Sequence, residues 1–525
     1  MHTRRWYNDP LILLALVVCL GTFVAQSGEL GSADTMHRLQ TAHSFWTSEP
    51  PVFPQEYPEF GVHGRGGKLY DWYGIGQPLF MLPADIVGTY ISRWSIFSSY
   101  DDTDPTVRNI FVTYTTNIFI SLLTALICFR LLRQLGFSPK QSVGGALALI
   151  FCTTHLHYSQ NMMENNYIML LTLIGFSYQY EWLREEKRNA LLIGSAAFGL
   201  NLLTRLTTAV DIFAGGVFLL LVMFFQRTNP RSMWDRFVAY IKVAVPVYAF
   251  FFLLDRLYQF YRFGTFFNTY VHYFTIEHRL QDPTLPANYP WETPFHVGFL
   301  GPLITPEKSI FLFDPLIILA IILAVWSWKR LLPEVKAYIA ASFLLLLGYI
   351  CLYARYTVWS GDFAWGDRYV STAAELAVFI SVPLLFRFRK EIAKPLWAAG
   401  VALIAISAVI QVASLMFWLS LEIYQLETLG HPTFVVWLRF KNIAAFALGK
   451  MNAWGLNNDA MTQDPWDYVH ITTWNFLPFV LRRVGEAPAW VVKVVSIIWG
   501  MALAAFVSAF VQLARMLAKP DYVEL

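Results

Sequence analysis

Twelve apolar stretches, most of them close to the length that crosses a bilayer, constrain this chain more than any motif in it. They lie near 11–26, 108–129, 141–156, 165–183, 190–204, 208–226, 238–258, 309–328, 337–354, 371–387, 395–418 and 489–514. The stretches at 141–156 and 190–204 are short for a full crossing. A further segment, Pro78 to Trp94, is interrupted by Pro83 and Asp85 and reads as a juxtamembrane or re-entrant helix. Of the 525 residues, 56% are hydrophobic and 14% charged, against about 25% charged in soluble domains. The expected fold is therefore an all-α polytopic membrane protein: a bundle of about 12 transmembrane helices, with juxtamembrane helices and outer loops forming a cap.

The cations are placed rather than abundant. Arg4 and Arg5, Arg130 and Arg133, Arg184 and Lys187, Arg227 and Arg231, Lys329 and Arg330, Arg387 and Lys390, and Arg515 and Lys519 fall on alternate connections. The excess of Lys and Arg on cytoplasmic loops then predicts an inner-membrane protein with both termini cytoplasmic. Met-His-Thr-Arg-Arg followed by an apolar run resembles a signal peptide. Val24-Ala25-Gln26 is a poor cleavage site, so a retained signal anchor is expected. Three long segments fall outside the membrane, at about 27–107, 262–308 and 419–488. Residues 1–418 read as one transmembrane module and 489–525 as a last helix with its tail. A net charge of +3 is no argument for nucleic acid. Cys19, Cys128, Cys152 and Cys351 lie in or beside apolar segments without a Cys-x-x-Cys pair, which points to neither a zinc knuckle nor a disulfide framework.

Ionisable residues gather at the outer ends of the spans. Asp34 follows the first span and suits the N-cap of an interfacial helix, with His37 and Arg38 one turn on. The functional alternative is a general base, or a metal-organising carboxylate, at the membrane surface. In Gly64-Arg65-Gly66-Gly67-Lys68, the glycines permit a tight path on which Arg65 and Lys68 meet a phosphate. A plain turn into the juxtamembrane helix is the simpler reading. His155-Leu-His157-Tyr158 is a weak metal candidate, because side chains two apart point about 200° apart on a helix. Glu164 opens an apolar span, where a charge is costly unless it faces a polar cavity. Arg205 and Arg368 stand on the outer side against the general bias. Each is read either as an ion pair, with Asp211 or Asp362, or as a clamp for a lipid-linked phosphate.

The pattern resembles the GT-C superfamily of integral-membrane glycosyltransferases, particularly the branch with protein O-mannosyltransferases and the lipid A aminoarabinose transferase. The resemblance covers most of the chain. It is carried by Asp34, by Lys-Leu-Tyr-Asp-Trp-Tyr-Gly-Ile-Gly-Gln-Pro-Leu-Phe-Met-Leu-Pro at 68–83, by 158–164, and by Leu203-Thr204-Arg205. Arg262-Phe263-Gly264, the run 301–315, and Trp365-Gly366-Asp367-Arg368-Tyr369 continue it. It implies transfer of a sugar from a polyprenyl-phosphate donor to an extracytoplasmic acceptor (a lipid, glycan or protein), a glycosylation reaction of the cell envelope. Asp34 matches the loop-one acid, Glu164 the second-loop acid, and Arg205 and Arg368 the positions near the donor phosphate. Tyr158, Tyr369, Arg65 and Lys68 complete the expected substrate-binding set. Thr35 stands where mannosyltransferases carry the second acid of an Asp-Glu pair, and Arg205 stands where several relatives have lysine. A divalent metal and the sugar's identity therefore stay open.

One base and one phosphate anchor predict inversion at the anomeric carbon. The tail groove is expected beside the Pro78–Trp94 helix, and acceptor choice in 419–488, around Trp454, Asp464, Trp466, Asp467 and Trp474. The rival readings are a lipid transporter or flippase, which should place charges near mid-membrane and break its spans, and a non-catalytic scaffold of a membrane complex. Here the charges sit at the outer ends, with Lys242 and Asp255 the nearest exceptions.

Overall fold

The computed structural model describes residues 9–54, 60–97, 105–362, 364–427, 429–451, 473–484 and 487–518. Each of the twelve apolar stretches is occupied by one helix or by two consecutive ones. Helix α1 (Pro10–Ala25) starts where Asp9 accepts a bond from the Leu11 N–H at 2.8 Å. The interfacial α2 (Ala33–Ser44) and α3 (Gly76–Ser92) follow, separated by a two-residue antiparallel ladder of β1 (Val62–His63) and β2 (Leu69–Tyr70). That ladder is the one element outside the all-α expectation among the described residues.

Next come α4 (Val107–Gln134), α5 (Pro139–Phe151), α6 (His155–Asn161), α7 (Asn165–Glu185), α8 (Arg188–Thr204), α9 (Ala209–Phe225) and α10 (Pro230–Phe263). The segment 262–308 contains α11 (Tyr270–Gln281) and α12 (Phe295–Ile304). Beyond it lie α13 (Ile310–Phe313), α14 (Leu316–Ser327), α15 (Pro333–Tyr353), α16 (Ser371–Val378), α17 (Ser381–Arg387) and α18 (Lys394–Ser414). The described parts of 419–488 contribute α19 (Ser420–Glu427), α20 (Val435–Ala447) and α21 (Leu477–Val484), and α22 (Ala489–Ala518) closes the order.

Among the described residues, six helices are long and apolar enough to cross a membrane: 107–134, 206–225, 230–263, 333–353, 394–414 and 489–518. By this measure the expected count of about 12 is not reached. Several stretches that read as single spans are broken by side chains that take over backbone bonds. The stretch 141–156 splits because Thr153 Oγ1 bonds back to Leu149 O, while the Thr154 N–H goes to Asp314 Oδ1 at 2.8 Å and its hydroxyl lies between Glu375 Oε1 (2.8 Å) and Asp314 Oδ2 (3.1 Å). The stretch 309–328 splits at Asp314-Pro315, and 371–387 splits between Val378 and Ser381. The 78–94 segment is less interrupted than expected. Pro83 lies inside α3, and Asp85 turns inward to accept bonds from His43 Nδ1 (2.9 Å), Trp46 Nε1 (2.8 Å) and Arg108 Nε (2.5 Å).

The core runs across α1, α4, α5, α7, α9 and α14–α17, with Leu14, Leu132, Phe176, Phe218 and Tyr338 fully enclosed. Helix α8 packs against α7 and α10, α9 against α15, and α22 against α1. Helices α10 and α22 are apolar yet almost unburied by the rest of the chain, as lipid-facing helices are. Asp255, one of the two mid-span exceptions, is buried and ion-paired with its neighbour Arg256. At one end of this bundle α2, the start of α3, the turn before α7, the α8–α9 junction and the loop before α16 converge.

Candidate active site

Helix α2 begins in a Gly-Ser-Ala-Asp-Thr run, and its N-cap is Ser32, whose hydroxyl accepts from the Thr35 N–H at 3.2 Å. This corrects the expectation that Asp34 caps the helix. A cap must stand one residue before the first helical turn, and Asp34 already lies inside that turn, where the helix dipole favours its negative charge. Freed from capping, Asp34 Oδ2 meets Arg368 Nη1 at 2.5 Å, and the Tyr73 hydroxyl donates to the same carboxylate. The Asp34 and Arg368 side chains keep 19% and 14% of their surface exposed.

Glu164 sits where the left-handed Met162 (φ 54°) turns the chain from α6 into α7. That turn is held from two sides, because Met162 O accepts from Thr35 Oγ1 at 3.1 Å and from Gln77 Nε2 at 3.0 Å. Glu164 Oε2 pairs with Arg38 Nη2 at 2.5 Å, and its Oε1 with Arg205 Nη2. The Arg38 guanidinium lies 3.9 Å from the Tyr73 ring centre. Arg205 and Arg368 lie 5.1 and 5.4 Å from that of Tyr369, which stacks on Tyr353 at 4.3 Å.

Three guanidiniums thus face two carboxylates, which leaves one positive charge in a largely buried site. Arg38 Nη1 and Arg368 Nε are buried with no hydrogen-bond partner among the described residues. Burial pushes the Asp34 carboxyl up. The Arg368 and Arg38 guanidiniums and the Tyr73 bond outweigh it and hold the group below the usual carboxylate range. Burial and the Asp34 charge push the Tyr73 phenol well above its ordinary value, so it stays a neutral donor. Burial lowers His37 to about 4, against the opposing pull of Asp34.

Supporting residues that sequence reading left without a role fix this geometry. Arg262, fully buried, donates to the Asp71 carbonyl at 2.6 Å, to the Tyr73 carbonyl at 3.0 Å and to Asp71 Oδ1 at 3.2 Å, locking the turn that presents Tyr73. Lys308 Nζ donates to the carbonyls of Asp362, Ala364 and Gly366 at 2.5, 2.9 and 3.2 Å, caging the loop that leads to Arg368. Asn165 Nδ2 holds the Arg368 carbonyl at 2.7 Å. A signal for these existed in the sequence, since an arginine and a lysine beside apolar spans are costly unless paired. Their partners are mostly backbone carbonyls, which no side-chain pattern reveals.

The other expected site residues fall in different places. Arg65 and Lys68 are exposed on the β1–β2 turn, with the Arg65 guanidinium 6.0 Å from the Phe260 ring centre. Tyr158 is buried beneath the site and donates to the Trp365 carbonyl at 3.0 Å. The Arg205–Asp211 pairing is replaced by Arg205–Glu164, and Asp211 instead accepts from Tyr349 and Thr172 at 3.2 and 3.3 Å. The carboxylate facing Arg368 is Asp34.

The metal candidates do not converge. His155 Nδ1 stands 3.9 Å from Glu375, and the His157 ring stacks on Trp365, while Asp34 is surrounded by guanidiniums and a phenol. Among the described residues no three His, Cys, Asp or Glu side chains are grouped to hold a metal ion. The donor set around Asp34 does not fit a divalent ion. Of the expected acceptor-choosing residues, Trp454, Asp464, Trp466 and Asp467 lie outside the described residues, and Trp474 packs between Phe417 and Phe446.

No protein-family profile matches the chain, and the curated proteins contain no match to it. Among solved structures it is similar to the apo form of the Archaeoglobus fulgidus oligosaccharyltransferase, with a TM-score of 0.49 and 14% identity over 79% of this chain and 56% of that one. It is also similar to AglB from the same organism in complex with an inhibitory peptide and a dolichol-phosphate, with a TM-score of 0.48 and 13% identity over 78% of this chain and 55% of that one. The third is ArnT from Cupriavidus metallidurans bound to undecaprenyl phosphate, with a TM-score of 0.42 and 10% identity over 97% of this chain and 75% of that one. The chain thus spans little more than half the length of the archaeal enzymes it matches. All three TM-scores lie below 0.5, so the functional reading rests on the side-chain geometry.

Proposed function

We propose that the chain is a membrane glycosyltransferase that moves a sugar from a polyprenyl-phosphate donor to an acceptor hydroxyl on the extracytoplasmic side. The observation that carries this reading is the Arg38–Arg205–Arg368 cluster. It holds one uncompensated positive charge and two unpartnered guanidinium N–H donors beside the Asp34 carboxylate. A phosphodiester donor bears one negative charge and would bring the site to neutrality. As the sugar–phosphate bond breaks, that charge grows to two, and the guanidiniums stabilise it most where it is largest. Asp34 takes the acceptor proton at the same time, so the net charge of the enclosed site does not change during transfer. Attack opposite the departing phosphate inverts the anomeric carbon.

The roles of the residues follow from their surroundings. Arg368 and Arg205 keep some surface open and contact the phosphate. Glu164 and Arg38 are nearly enclosed, so Glu164 acts as a positioning residue that sets the guanidiniums. The tail lies along α3, whose Leu79, Val87 and Tyr90 form an exposed apolar stripe while Asp85 faces inward. The test is transfer in reconstituted membranes from a panel of polyprenyl-phosphate sugars, comparing wild type with Asp34→Asn. Transfer by wild type that is lost in the variant supports the reading. Equal rates remove Asp34 as the base, and translocation of lipid without turnover of any donor favours a transporter.

A further inference from the structure

Resting on that donor reading, we propose that Arg368 gates the catalytic carboxylate: in the empty site its guanidinium occupies Asp34, and an arriving donor phosphate draws it away and releases Asp34 to act as base. The geometry carries this in three steps. First, Arg368 Nη1 is already engaged, by Asp34 Oδ2 at 2.5 Å and Met163 Sδ at 3.9 Å, while Nε of the same guanidinium is buried without a partner among the described residues. An anion entering the site therefore finds an unused donor on the very group that restrains the base. Second, the backbone of Arg368 is anchored, by Asn165 on its carbonyl and by Lys308 on the preceding loop, so only the head of the side chain has freedom to swing. Third, the two carboxylates are not equivalent. Glu164 is held by two arginines, whereas Asp34 has one, and loses its ion pair if that one turns away.

The charged and titratable groups facing Asp34 are few. They are His37 and Arg38 from α2, Tyr73 from the 71–75 turn, Glu164 from the start of α7, and Arg368 from the loop before α16. The acid on the packed helix α3, Asp85, is engaged with His43, Trp46 and Arg108. Arg368 alone combines direct pairing to Asp34 with a vacant donor. With the guanidinium transferred to the phosphate, Asp34 has lost a cation and gained a nearby anion, and both changes favour its protonated form. It then takes the acceptor proton as the acceptor oxygen bonds to the anomeric carbon. The carbon–oxygen bond to phosphate breaks with its electron pair, and polyprenyl phosphate leaves. Without donor, Asp34 stays a weak base, which orders the reaction as donor before acceptor.

The experiment is calorimetric titration of the full-length protein in detergent with polyprenyl phosphate, run between about pH 4 and 6 in buffers of different ionisation enthalpy. Wild type is expected to take up more protons per bound lipid than Asp34→Asn. Difference infrared spectra of wild type alone read the same event, as a protonated aspartyl carbonyl band gained on binding, and do not depend on how well the variant folds. Binding with no uptake relative to the variant and no such band overturns the gate and leaves the donor reading standing. No binding of polyprenyl phosphate at all removes the donor reading, and the gate with it.

Discussion

Asp34 Oδ2 and Arg368 Nη1 lie 2.5 Å apart although 334 positions separate them in the chain. The contact joins the first turn of α2 to the loop before α16, and Tyr73, from the turn before α3, shares the same carboxylate. If Asp34 is the base, Asp34→Asn removes the proton acceptor while its amide still fits beside Tyr73. Transfer is expected to fall about 10²–10⁴-fold. Polyprenyl phosphate binding is expected to survive, and single-turnover kinetics beside a binding isotherm separate the two.

Glu164 neutralises part of a nearly enclosed guanidinium cluster, with Arg38 only 3% exposed. Glu164→Gln leaves Arg38 and Arg205 without a counter-charge, and breaking a buried pair this way costs about 3–5 kcal/mol. The expected outcome is a marked drop in thermal unfolding temperature in detergent. An unchanged unfolding temperature would mean that water already screens the cluster.

Lys308→Met removes the donor shared by three carbonyls of the 362–366 loop. Leaving the buried Ala364 and Gly366 carbonyls unpaired costs about 1–3 kcal/mol each, and the loop that carries Arg368 loses its template. Donor affinity and turnover together are expected to fall on the order of 10²-fold, as for a misplacement near 1 Å. Lys308→Arg is not expected to restore them, because a planar fork does not fit a point-charge cage.

Gly74 allows the 71–75 turn to lie directly on the end of α8: an added Cβ would stand 2.2 Å from Leu203 O and 2.4 Å from Thr204 O. Neither atom is at the end of a flexible side chain. Gly74→Ala is expected to push Tyr73 and Arg205 apart, to cost about 1–3 kcal/mol, and to reduce transfer. Gly500→Ala, which meets open space, serves as the control and leaves both unfolding temperature and transfer unchanged.

His37 stacks on Phe60 at 3.5 Å and has its pKa lowered by burial to about 4. The unfolded chain binds a proton there near pH 6.5, and the folded chain does not until about pH 4. Between these values the unfolded state holds more protons, so stability falls as the pH drops through this window. His37→Phe keeps the stack and removes the proton. Its unfolding temperature is expected to decline less than that of wild type between pH 6.5 and 4.

Much of the bundle was legible because hydrophobic length is a local signal. Every apolar stretch became helix, and Arg205, Glu164 and Arg368 stood out as charges that an apolar neighbourhood tolerates only when paired. Pairing itself was not legible. Asp211, six residues on, was the local candidate partner of Arg205 if it formed an ion pair, but Asp211 turns toward α15 and Tyr349 while Arg205 crosses to Glu164. The two-part stretches were misread for a related reason: Thr154 gives its backbone N–H to Asp314, 160 positions away, and its hydroxyl sits between Asp314 and Glu375, and no local pattern marks that exchange.

The sequence by itself determined where the chain is apolar enough to form long helices and which few charged residues need an explanation. It did so because burial cost is a property of each side chain and its immediate neighbours. Only the tertiary structure decided that Asp34 leaves the capping position to Ser32 and faces Arg368, that Glu164 holds two arginines, and that Lys308 and Arg262 serve backbone carbonyls. Ion pairs and carbonyl cages form between whichever groups the packing of distant helices brings within about 3 Å. That distance is set by the whole bundle, not by any one segment of it.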